Sequence, residues 1–137
     1  MALYPQDWKS DIGLLLMRLG LATMLLLHAL PQLLNGANAW KSVGMSLNFV
    51  NPAIPPHYFG GLVLLIEAIG SVCLIFGYLA RTASLVLCVL FGAYCFNYYS
   101  IGYGTLMLWS LGLTVVFFGM LYTGPGRYSV AVKLEKR

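Results

Sequence analysis

Four long apolar runs dominate the chain, at residues 12–34, 59–79, 83–96 with an aromatic continuation to 99, and 105–122. The hydrocarbon core of a bilayer takes about 20 mostly apolar residues wound as a helix. Lipid offers the backbone no hydrogen-bond partner, so runs this apolar form helices, and the strict alternation of a membrane barrel is missing. The pattern predicts an all-α membrane protein: one domain over 1–137, built as an antiparallel bundle of four transmembrane helices.

The polar positions mark the boundaries. Asp7-Trp8-Lys9-Ser10-Asp11 joins an interfacial aromatic to capping residues, so the first helix is expected to start at Ser10 or Asp11. It should end at Asn35-Gly36, with Pro31 in its last turns. The only long loop is 35–58. Trp40, Val43, Met45 and Leu47 interleave there with Lys41, Ser42 and Ser46, as in a short helix lying among headgroups. Pro52, Pro55 and Pro56 argue against helix from Asn51 to His57, which makes the loop a stiff cap. Residues 77–82 leave almost no loop, so the second and third helices are antiparallel neighbours. Residues 97–104, rich in tyrosine, are expected to link the third and fourth at the interface.

Composition agrees: 60% of the 137 residues are hydrophobic and 9% charged, where soluble domains carry about 25% charge. Four spans use about 80 residues, which leaves no room for a soluble catalytic domain. The net charge of +4 is too small and too localised for nucleic-acid binding. It reads as topology instead. Lys9, Arg81, Arg127, Lys133, Lys136 and Arg137 fall on one side and Lys41 on the other, which puts both termini and the basic tail 123–137 in the cytoplasm and the capping loop outside. Ala37-Asn38-Ala39 resembles a signal-cleavage site. The 23-residue run before it, however, exceeds the 7–15 residues of a signal core and is flanked by Asp7 and Asp11, so it is read as a span. No phosphate loop, metal cluster or nucleophile elbow is present in the sequence, and no catalytic residue is assigned.

Three ionisable residues sit where they are costly: Arg18, His28 and Glu67. At about 1.5 Å per residue, Arg18 lies about 9 Å and His28 about 24 Å from the cytoplasmic boundary, with Glu67 between them in height. Glu67 shares a helical face with Gly60, Gly70 and Ser71. Small residues mark close helix approach, so Glu67 is expected to face the first span within reach of Arg18 or His28, either as a packing lock or as a proton- or ligand-handling carboxylate. Arg18 either snorkels to the boundary or pairs with Glu67 or an acidic ligand group. His57 is the only other imidazole, so His28 is read as hydrogen-bonded rather than as a metal or haem ligand, and no metal site is assigned. Cys88 and Cys95 are about 10.5 Å apart along a helix, too far for a disulfide. Ser84, Cys88, Gly92 and Cys95 form a small-residue stripe suited to packing.

Gly124-Pro125-Gly126-Arg127-Tyr128-Ser129 resembles the segment that follows the last span in the DoxX family of small bacterial membrane proteins. Arg18-Leu19-Gly20 with His28-Ala29-Leu30-Pro31 is similar to that family's first helix, and Glu67-Ala68-Ile69-Gly70 to its second, so the resemblance covers about residues 12–130. Gln32 stands where a lysine is common in the family, and no aspartate follows Ser129-Val130. The Gly124–Ser129 segment reads physically as a membrane-exit motif: Gly and Pro stop the helix, while Arg127 and Tyr128 meet headgroups.

The resemblance implies a four-helix bundle in the bacterial inner membrane and links to membrane oxidoreductase complexes, a thiosulfate:quinone oxidoreductase among them. With the small-residue stripes and short loops, the first expectation is a non-catalytic accessory subunit that binds other membrane subunits or further copies of itself within the bilayer. The alternative is a quinone-linked oxidoreductase subunit holding a quinone, or a lipid, between the first two spans, with Arg18, His28 and Glu67 as its polar contacts.

Overall fold

The computed structural model describes residues 8–47 and 53–126. These form five helices: α1 (Trp8–Leu34), α2 (Ala37–Ser46), α3 (Pro56–Phe76), α4 (Ala80–Ile101) and α5 (Gly104–Thr123). Among the described residues there is no strand, and α1, α3, α4 and α5 are long and apolar enough to cross a membrane. α1 packs on α3, α3 on α4 and α4 on α5. Among the described residues the outer helices α1 and α5 approach each other far less closely than these pairs, so the bundle is loosest along that side.

Local sequence explains the elements. The buried positions of α1 are Asp11, Arg18, Ala22, Leu25 and Ala29, a single stripe at helical spacing. The small alanines let α3 lie close to it. Ser10 and Asp11 lie inside α1 rather than capping it, because the helix already runs at Trp8; Asp11 turns inward and is 1% exposed. Pro31 is accommodated in the last turn, as expected.

α2 confirms the helical reading of the first half of the long loop, but it is more than an interfacial strip. Its backbone meets that of α3 directly. A Cβ added to Gly44 would fall 1.8 Å from the carbonyl oxygen of Pro56, and one added to Gly60 would fall 1.7 Å from that of Trp40. Only glycine at both positions allows this crossing. Trp40 then lies over Gly61 and donates its indole N–H to the Leu33 carbonyl at 3.2 Å, which ties α2 back to the end of α1.

Two expected boundaries shift. α3 begins at Pro56, so Pro56 and His57 form its first turn rather than a non-helical cap. Proline is favoured there, since the first N–H groups of a helix have no intrahelical partner to lose. α4 runs on through Asn97 to Ile101, and only Gly102 and Tyr103 join it to α5. The tyrosines expected in a linker are therefore helical, and Tyr94 and Tyr98 stack at 6.1 Å on one face. The α4–α5 interface uses the small-residue stripe: Cys88 donates to the Thr114 carbonyl, and Gly92 sits opposite the Thr114 methyl. All three cysteines are free thiols.

Candidate intramembrane ligand site

His28 and Gln32 are one turn apart on α1, so both point to the same side, and α3 brings Glu67 to meet them. Glu67 is fully buried, and its Oε1 lies 3.1 Å from His28 Nδ1. His28 Nε2 lies 2.8 Å from the Gln32 amide nitrogen. An amide NH2 can only donate, so Nε2 accepts; the ring proton is then on Nδ1, where it donates to the Glu67 carboxylate. Ser71 donates to the Glu67 main-chain carbonyl at 2.6 Å, which leaves the carboxylate itself to other partners. Glu67 Oε2 has no hydrogen-bond partner among the described residues.

Glu67 belongs to the wall of a 430 Å³ cleft. The cleft lies between α1 and α5, with α3 and α4 behind it and Ser42, Val43 and Ser46 of α2 at one end. Glu67, Tyr94 and Ser110 line its buried part, and His28, Gln32 and Tyr98 stand beside them. Met24, Leu106 and Trp109 are exposed and form an apolar mouth toward the surrounding lipid. The cleft takes residues from α1 and α3, the first two spans, and also from α4 and α5.

Arg18 is placed elsewhere. It is 2% exposed, so it does not snorkel, and its Nη1 donates to the main-chain carbonyl of Pro125 rather than to Glu67. The expected cluster of Arg18, His28 and Glu67 thus divides into a His28–Glu67 pair in the cleft and an Arg18 contact at the opposite end of α1.

The Arg18 contact gives the exit motif a second role. α5 stops at Thr123, and Gly124 has a φ of 74°, a left-handed conformation that glycine adopts without strain. The Arg81 guanidinium lies 3.0 Å from where a Cβ on Gly124 would be. Gly126 lies against Leu14 and Asp11 of α1. Gly124, Pro125 and Gly126 thus link the end of α5 to α1 and α4 at this end of the bundle. Arg127, Tyr128 and Ser129 lie outside the described residues.

The sequence reading missed Tyr94, Tyr98 and Ser110, and treated Gln32 only as a departure from a family pattern. The i, i+4 spacing of His28 with Gln32 and of Tyr94 with Tyr98 was the available signal.

The DoxX family model matches residues 13–98. The chain belongs to the DoxX family. The DoxX match takes in α1 to α3 and most of α4, and with them the His28–Glu67 pair, whereas α5 and the Gly124–Ser129 motif lie beyond it. With four membrane-crossing helices, this DoxX chain is a multi-pass membrane protein in contact with the lipid bilayer. No match was found among curated proteins or among solved structures.

Proposed function

We propose that this DoxX protein is the quinone-binding subunit of a membrane oxidoreductase complex, with the quinone headgroup in the cleft between α1 and α5. The observation that carries the reading is Glu67: a fully buried carboxylate in the lining of the cleft, with one oxygen on His28 and the other without a partner among the described residues. Burying such a group is costly unless something hydrogen-bonds it. A ligand hydroxyl, such as that of the reduced quinone, meets that need by donating to the carboxylate. The cleft volume falls within the range of about 300–1,000 Å³ typical of small-molecule sites. Its apolar mouth suits a molecule that arrives through the bilayer with an apolar tail. A partner subunit brings the electron donor, which reconciles the accessory and quinone readings. The excess of basic residues near the termini supports a cytoplasmic location for both, in a bacterial inner membrane.

The test is titration of the protein in lipid nanodiscs with a short-chain quinone, followed by tryptophan fluorescence. Saturable quenching is expected, most of it lost in Trp109→Phe. Glu67→Gln should weaken binding about tenfold, the equivalent of about 1.4 kcal/mol. Quenching that rises linearly with quinone, alike in all variants, would contradict the reading.

A further inference from the structure

We infer that Glu67, His28 and Gln32 form a proton relay between the cleft and the α2 end of the bundle, with His28 as its intermediate station; this rests on the quinone reading. The three groups are consecutive in space along the cleft wall: Glu67, with Oε2 buried and without a partner among the described residues, Oε1 on His28 Nδ1 at 3.1 Å, and Nε2 on Gln32 at 2.8 Å. They also pass from buried to exposed. The Glu67 side chain is 1% exposed and that of His28 is 52% exposed. His28 is six residues from the end of α1, about 9 Å along the helix.

Gln32 is what makes the chain reversible. A neutral ring accepts at Nε2 from the Gln32 amide N–H. A protonated ring donates there instead, and a half-turn of the amide presents the carbonyl oxygen to receive that bond. The same partner therefore satisfies both charge states of His28, and the site need not rearrange when the ring gains a proton. A lysine at this position could serve only the neutral ring.

The step is a proton transfer alone. Starting from the Nδ1-protonated ring, a proton taken up from water at Nε2 makes the ring cationic; Nδ1–H then passes its proton to Glu67 Oε1, and the carboxyl turns and delivers it to a ligand oxygen in the cleft, leaving the neutral ring protonated at Nε2. One proton enters at Nε2 and one reaches the ligand; the reverse sequence returns the ring to its Nδ1-protonated form and carries a proton away from the ligand. Tyr94 and Tyr98 from α4 are the other titratable groups on the cleft wall, while α2 and α5 contribute serines and apolar or indole side chains.

The experiment is ¹⁵N NMR of histidine-labelled protein in nanodiscs, with His57→Asn leaving His28 as the single imidazole. The ring is titrated with and without a bound quinol analogue. The relay predicts an Nδ1-protonated neutral ring and a titration midpoint that moves when the analogue binds. In Glu67→Gln the midpoint should no longer respond, although the analogue still binds. Gln32→Lys should suppress the protonated form, and Gln32→Glu should retain it. An analogue that binds without moving the midpoint, or a neutral ring protonated at Nε2 in the ligand-free protein, overturns the relay alone. An analogue that does not bind overturns the quinone reading and the relay with it.

Discussion

Gly60→Ala is expected to unseat α2 from α3 and lower the stability of the folded protein by about 3 kcal/mol or more, the upper part of the range for overpacking. The reason is backbone against backbone. The added methyl would meet the Trp40 carbonyl at 1.7 Å and the Gly44 nitrogen at 2.7 Å, and neither can turn aside as a flexible side chain would. Because Ser42, Val43 and Ser46 close one end of the cleft, ligand binding should be lost along with α2 packing. Gly119→Ala is the control, since nothing lies within 4 Å of a Cβ there. Differential scanning fluorimetry in detergent should show a large fall in apparent Tm for Gly60→Ala and little change for Gly119→Ala.

The second large effect is expected at the other end of the bundle. Arg18→Met should cost about 2 kcal/mol, the order of magnitude for a hydrogen bond to a charged group. The loss goes beyond one bond. Arg18 holds the Pro125 carbonyl across the loosest side of the bundle, where α1 and α5 have little close contact among the described residues to replace it. The expected signature is a lower apparent Tm together with greater separation of α1 and α5 at this end, measured by spin labels at Gly13 and Gly119. A Tm and a separation equal to those of the parent protein would show that the contact does not close the bundle.

Sequence pattern sufficed for the four spans because lipid imposes one rule over about 20 residues at a time, and local composition expresses it. It also pointed to an inward Glu67: Gly60 does meet α2, and Gly70 does meet Leu87 of α4. It could not choose the partner. Arg18 and His28 both bracket Glu67 in height, and Arg18 is drawn away by a main-chain carbonyl 107 residues distant, a group that every residue carries and that leaves no mark in sequence. The cleft was equally invisible, since it is assembled from residues of all five helices rather than from any motif. The shifted boundaries have a local cause. Proline that denies a donor mid-helix is at home in a first turn, so Pro56 starts α3 instead of blocking it.

The central claim is that a quinone headgroup sits beside Glu67 in the cleft, and photolabelling with an azidoquinone tests it most directly. Irradiation in native membranes, followed by peptide mass spectrometry, should place adducts on Met24, Trp109 and Leu113 of the cleft wall. These should be competed away by excess unlabelled quinone and depleted in Glu67→Gln. Adducts spread over lipid-facing positions such as Leu16, Val89 and Phe118, with no competition and no dependence on Glu67, would contradict the account.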